Sequence, residues 1–301
     1  MAKVWFVGAF VLLLTGLVIA APAESSSEEG KEKSKEKGYR QYVGEQEYHL
    51  PFKTRISEPF KEGQTIHAVG NVSKDPKRID FNFHKGGNDD DDMPLHLSIR
   101  FDEGIFTGKI VYNTFQNGNW STDEQRISSP YKAQDEFDLR VRIKGGKYQV
   151  FGNRREIGVF EQRQPLDGVN HVSIFGSLDS LRVFHYGGTI FANPYNAIAK
   201  LTPGKRLDIS ALPTGNRVNV NLYREGVNMH YKCLFATTKV PFKNEVFDLT
   251  IINEAFSFQL FVNGKRFATF AHRGSPNDIE TLEIDGNVDV QTVTINDATK
   301  A

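Results

Sequence analysis

The chain has 301 residues and a single cysteine, Cys233. An intramolecular disulfide is therefore excluded, and the folded part must be held by its apolar core alone. Excess charge is also missing, with 37 Lys and Arg against 37 Asp and Glu. No global field steers the chain to nucleic acid or to an acidic membrane. One acidic run exists, GGNDDDD at 86–92, but it lacks the alternating ligand spacing of a calcium loop. Long apolar runs are absent apart from Val4 to Ala23. What is present is 23 Phe and 26 Gly, with short β-branched or aromatic runs divided by Gly, Pro, Asn and Asp. That pattern indicates an all-β protein, and the length suits two domains of roughly 100–150 residues each.

The N-terminus reads as a separate piece. Lys3, the apolar run and the small residues Ala20, Ala21 and Ala23 have the form of a secretory signal peptide over 1–23. A signal anchor is the competing reading, because the run is almost long enough to span about 30 Å of bilayer. Residues 24–38, ESSSEEGKEKSKEKG, hold no apolar side chain and read as a charged disordered linker. A secreted chain brings its two sequons into play, at Asn71-Val72-Ser73 and Asn119-Trp120-Ser121.

From Tyr39 onward the chain repeats itself. EFDLRVRIKGGKYQVFGNRREIGVFEQR, from Glu136, matches VFDLTIINEAFSFQLFVNGKRFATFAHR, from Val246, at an offset of 110. Phe137, Asp138, Leu139, Phe151, Asn153, Phe160, Ile174 and Gly176 meet identical residues there. Upstream, Arg78 aligns with Arg217 and His96 with His230. The offset falls from 134 at Phe101 to 111 at Pro130, so the second copy lacks 23 residues between them. Such a long period is a duplicated domain rather than a solenoid. The copies are expected at 39–188 and 189–298, joined near HYGG at 185–188.

The segment missing from the second copy follows HLSIRF, residues 96–101. Strict alternation makes that stretch a half-buried strand, with His96, Ser98 and Arg100 on its polar face. KIVYNTF should pair beside it and bring in Asn113. The turn QNGN presents Trp120, and STDEQR adds Glu124 and Arg126 two residues apart. Such groups donate and accept at fixed angles, as the hydroxyl ring of a pyranose requires. An exposed indole packs against the C–H face of a sugar.

At these residues the sequence resembles the galectins, whose signature is H-x-N-x-R, then V-x-N, then W-x-x-E-x-R. PFKEGQTIHAVGNV, PYKAQDEFDLRV and LTPGKRLDISALP extend the resemblance over both copies. It implies two tandem jelly-roll β-sandwiches and binding of β-galactosides without metal or cofactor. It further implies that His96 and Arg100 hold the axial O4, that Asn113 and Glu124 hold O6, and that Trp120 stacks under galactose. Arg126 would orient Glu124 and reach the next sugar. The expected partners are galactoside glycans on glycoproteins or glycolipids, with no nucleic acid. The acidic run would lie at the groove edge and repel sialylated or sulfated glycans.

Three departures stand out. Ser98 replaces the family's Asn, so one amide group is lost; either a water fills the gap or binding weakens by something on the order of 1–2 kcal/mol. One extra residue separates Trp120 from Arg126. Either a bulge restores Glu124 and Arg126 to their roles, or Asp123 and Gln125 take those positions. A glycan on Asn119 would crowd the sugar face. The second copy has Lys232 and Leu234 where the family has Asn and Arg, and no tryptophan, so it should not bind galactose in the family's way. With one intact site, cross-linking would need a homodimer or a site of another kind. Three readings therefore compete. One is a secreted lectin, and another a galectin-fold interaction protein that has lost sugar binding. The third, a glycoside hydrolase, is disfavoured because Asp123 and Glu124 are adjacent on one strand and face opposite ways. Cys233 and His272 read as structural.

Overall fold

A computed structural model describes residues 38–58, 60–103, 108–224 and 244–299, and the backbone of 231–236. The expected signal peptide, and the linker up to residue 37, lie outside the described residues, as does His230. Residues 38–301 form one compact unit built of two lobes.

The first lobe contains β1 (Glu45–Tyr48), β2 (Phe52–Arg55), β3 (Thr65–Val72), β4 (Arg78–His84), β5 (Met93–Arg100), β6 (Lys109–Gln116), β7 (Asn119–Trp120) and β8 (Gln125–Ser128). It continues with β9 (Glu136–Lys144), β10 (Lys147–Gly152), β11 (Arg155–Glu161), β12 (His171–Gly176) and β13 (Leu178–Gly187). One sheet runs β1-β13-β3-β9-β10-β11, and the other β2-β12-β4-β5-β6-β7 with β8 also on β6. The two sheets enclose a core that includes Phe81, Phe83, Leu95, Leu97, Ile99, Tyr112, Phe137 and Tyr148. Alternation explains the arrangement. On β4, Ile79, Phe81 and Phe83 enter that core, which turns Asp80, Asn82 and His84 to the opposite face.

The second lobe contains β14 (Tyr195–Ile198), β15 (Lys205–Arg224), β16 (Tyr231–Ala236), β17 (Phe247–Asn253), β18 (Ser257–Val262), β19 (Lys265–Ala271) and β20 (Ile279–Asp297). Here a single sheet runs β14-β20-β15-β17-β18-β19, with β16 on β15. The difference lies in two long strands. β15 joins the counterparts of β3 and β4, and β20 joins those of β12 and β13. Both bend where the register slips between Pro213 and Val218, so the two layers share continuous strands. Leu207, Ile209, Val218, Val220, Leu249, Leu282 and Ile284 fill the space they enclose.

The lobes are fused through buried charge. Arg140, from β9, donates to both carboxylate oxygens of Asp248 at 2.9 and 2.8 Å, to Asp138 at 3.2 Å and to Ser210 at 2.8 Å. Arg154 adds a contact to Asp248 and donates to Tyr42 at 2.7 Å. It sits in the left-handed region at φ 73°, where its repeat counterpart is Gly264 at φ 72°. A residue with a Cβ is costly there, and its ion pairs across the lobes account for its presence. Burial alone would raise the Asp248 carboxyl, but Arg140 and Arg154 hold it well below the usual carboxylate range.

Candidate carbohydrate-binding site

The polar face of the HLSIRF strand lies on the outer side of the β2-β12-β4-β5-β6-β7 sheet. His96 pairs with Asn113 across the β5–β6 ladder and with Asn82 across β4–β5. The imidazole is held from both ends. Its Nδ1–H donates to Asn82 Oδ1 at 2.6 Å, so Nε2 accepts from Arg78 Nη2 at 3.2 Å. Asn82 is oriented in turn by donating to Ser173 Oγ at 3.1 Å. Burial pushes His96 down to about 4, against the pull of Asp80 and with Arg78 and Arg100 adding to the effect. The ring is therefore neutral at physiological pH.

The Asn117-Gly118 pair turns β6 into β7 with φ of 52° and 78°, the geometry of a tight two-residue hairpin. Asp92 Oδ1 accepts the Asn117 N–H at 2.8 Å and so ties the acidic loop to this turn. Trp120 then lies opposite Phe115, with ring centroids 5.1 Å apart, and 4.7 Å from the His96 ring. It remains 47% exposed, so a broad indole surface is open to a ligand. Asn119 pairs with Gln116 and faces the opposite way. A glycan on Asn119 would therefore leave from the side of the strand opposite the indole.

The spacing question is also answered by pairing. Arg126 lies opposite Val111 on the groove face, while Gln125 lies opposite Tyr112 on the core side. Arg126 Nε donates to Glu124 Oε1 at 2.7 Å, whereas Asp123 turns away to Arg163 at 3.1 Å. Glu124 and Arg126, not Asp123 and Gln125, thus join the cluster. Arg100 approaches Glu124 to 3.8 Å. Glu103, which the motif reading missed, completes it by accepting from Arg100 at 2.8 Å and from Arg126. The Arg100 hydrogen bond holds the Glu103 carboxyl below its ordinary range. Glu103 lies three residues beyond Arg100 and off the strand, so alternation gave no sign of it. Arg78, Asp80 and Asn82 were legible from the same alternation that exposed His96.

Ser98 is fully buried, and Arg100 Nε is 3.4 Å from its hydroxyl. Asn113 is partly committed, donating to the Ser121 carbonyl at 3.1 Å and accepting the Thr114 N–H at 2.8 Å. One amide proton remains for a ligand. Beside His96 a groove of about 510 Å³ continues over Arg78, Asp80, Asn82, His84, Ser173 and Phe175. In the acidic loop, Asp89 is paired with Lys53 at 3.0 Å and Asp91 caps the Asn88 N–H at 2.7 Å. Asp92 is bound to the turn, and Lys53 is the one cation paired with the run among the described residues, so its negative charge is offset only at Asp89.

Among the described residues no group of three His, Cys, Asp or Glu side chains is placed to hold a metal ion. In the second lobe, pairing of β15 with β16 sets Lys232 opposite Asn221, as His96 stands opposite Asn82. The alignment of His96 with His230 is thereby displaced by two residues. Leu234 and Ala236 take the register positions of Ser98 and Arg100. Cys233 pairs with the buried Val220 across the ladder, and His272 Nε2–H donates to the Glu254 carbonyl at 2.8 Å.

An all-β sandwich with a half-exposed indole beside locked Arg and Glu groups is the architecture of a carbohydrate-recognition module. The family model described as galactoside-binding lectin matches residues 51–185 and 235–295. The 32 kDa beta-galactoside-binding lectins of Haemonchus contortus and Caenorhabditis elegans are each 35% identical over 276 residues, 82% of this chain and 95% and 97% of theirs. The solved Caenorhabditis elegans galectin LEC-6 is 25% identical over 47% of this chain and 93% of that one, with a TM-score of 0.41. The chain belongs to the galactoside-binding lectin family, with family sequence in both of its repeats.

Proposed function

We propose that the protein is a secreted lectin that binds neutral β-galactosides through the first domain, residues 39–188. The observation that carries this reading is the convergence of His96, Arg100, Glu124 and Arg126 beside the exposed face of Trp120. His96 and Arg100 hold the axial hydroxyl of galactose. Asn113 donates its remaining amide proton to O6 together with Glu124, and Trp120 covers the C–H face. Arg126 fixes Glu124 and extends toward the next sugar. Ser98 supplies no amide, so affinity is modest. Glu103 and Glu124 are each engaged by arginines and act in binding, not in acid–base chemistry.

Removal of residues 1–23 would release the chain, and Asn71 and Asn119 are exposed acceptors for glycans. The second domain, 189–298, does not take galactose in this manner. Valency above one then comes from pairing of two copies or from a different ligand there. Without residues 1–23, Trp120 is the sole tryptophan. Its emission should therefore shift saturably with lactose and not with an epimer lacking the axial hydroxyl. The alternative, a scaffold that has lost sugar binding, has one observation in its favour: Arg78 already occupies His96 Nε2. A titration in which neither sugar moves the emission would support that alternative.

A further inference from the structure

Two Asn-Gly pairs occur in the chain, Asn117-Gly118 and Asn263-Gly264. Each closes a two-residue hairpin with nearly the same backbone, φ of 52° and 78° in the first and 51° and 72° in the second. An asparagine followed by glycine is prone to lose its amide. The glycine nitrogen has no neighbouring side chain to shield it, and its backbone turns freely. What separates the two pairs is how firmly each is held.

Asn263 is locked. Its Oδ1 accepts from the Asp248 N–H at 2.9 Å and from Arg154 Nη1 at 3.0 Å, and its own N–H donates to the Asp248 carbonyl at 2.8 Å. A Cβ on Gly264 would come within 3.2 Å of Gln41. Asn117 is exposed, and its side-chain amide has no partner among the described residues. A Cβ on Gly118 would meet nothing within 4 Å. The restraints on this turn are the Asn117 N–H on Asp92 Oδ1 at 2.8 Å, the Asn117 carbonyl, which accepts from Asn119 Nδ2 at 3.0 Å, and a strand, β7, of two residues. All lie at the surface, so opening this turn costs little, whereas opening the other breaks into the charge network between the lobes.

We propose that Asn117 is a site of spontaneous deamidation, and that its conversion displaces Trp120 and weakens the sugar site; the last step rests on the galactoside reading. The Gly118 nitrogen gives its proton to solvent base and attacks Asn117 Cγ. A C–N bond forms, and the side-chain nitrogen takes up a proton and leaves as ammonia. Water then opens the resulting succinimide. Attack at the former side-chain carbonyl gives aspartate. Attack at the backbone carbonyl gives isoaspartate, in which the chain runs through the side chain and is longer by a methylene. Either product sets a carboxylate beside Asp92, and the like charges repel. Isoaspartate also lengthens a turn whose loop length fixes the pairing of Trp120 with Phe115.

The test holds the full chain in mildly alkaline buffer at body temperature and compares it with fresh protein. The readouts are peptide mapping by mass, tryptophan emission and binding to lactose. The peptide with Asn117 should gain the mass of an amide-to-acid exchange about tenfold faster than the peptide with Asn263. Emission should move to the red, and lactose affinity of the isoaspartyl fraction should fall about tenfold. Asn117→Gly keeps a Gly-Gly pair suited to the same turn and removes the reacting amide, so its aged and fresh samples should agree in emission and lactose response. Conversion at Asn117 no faster than at Asn263, or conversion that leaves emission and lactose binding unchanged, would overturn the proposal. So would an equal loss in aged Asn117→Gly. A fresh chain that ignores lactose would sink the galactoside reading instead, and mapping with emission would still decide whether Asn117 converts and moves the indole.

Discussion

Asp248→Ala tests whether the lobes are joined as the geometry requires. Arg140, Arg154, Asp138 and Asp248 form a balanced group of two positive and two negative charges. The Arg140 side chain is 1% exposed, so solvent cannot replace a lost partner. Alanine at 248 removes two hydrogen bonds to Arg140 and one to Arg154, leaving two guanidinium groups against one carboxylate. Breaking an exposed pair costs about 1 kcal/mol or less, whereas breaking a buried one costs about 3–5 kcal/mol. For a unit of this size that lowers Tm by roughly 6–20 °C. Melting followed by circular dichroism and by Trp120 emission should show the drop, with Asp248→Asn falling between. A loss under about 2 °C would refute the reasoning, because it would place the network in contact with water or the lobes out of register.

Three further outcomes follow from the groove. His96 titrates near 4 in the fold and near 6.5 when unfolded, so it is neutral in the native state. Lactose affinity should be flat from pH 8 to 5. Stability should fall as pH drops from 6.5 toward 4, by up to about 3 kcal/mol from this residue, because the unfolded chain takes up the proton first. An affinity midpoint near pH 6.5 would contradict this. Glu103→Gln leaves Arg100 and Arg126 sharing Glu124, and lactose affinity should weaken about tenfold, or ~1.4 kcal/mol, with little change in Tm; affinity within twofold of the parent would remove Glu103 from the site. A glycan on Asn119 should leave lactose retention unchanged, since that side chain points away from Trp120, and enhanced retention after enzymatic deglycosylation would show otherwise.

Much of the groove was legible because β-strands alternate. HLSIR and RIDFNFH each announce a buried apolar row, and what remains must face outward as one polar row. Glu103 was hidden because it follows the strand, where no period constrains it. The place of Arg126 could not be decided by counting, since a two-residue strand and an irregular return absorb the extra residue. The repeat was plain in the sequence, but not the continuity of β15 and β20, which depends on how the Pro213–Val218 segment bends. Nor did the alignment anticipate that Lys232 takes the place of His96. Register is set by the whole ladder, and a two-residue slip preserves the facing of every side chain.

The central claim is that the first domain binds galactose through the indole and the groups beside it. A lactose column loaded with the chain and with Trp120→Ala tests it most directly. The account requires retention of the parent, elution by free lactose and passage of the variant without delay. If the parent passes through as freely as the variant, Ser98 and the Arg78 contact have closed the site, and the galactoside reading fails.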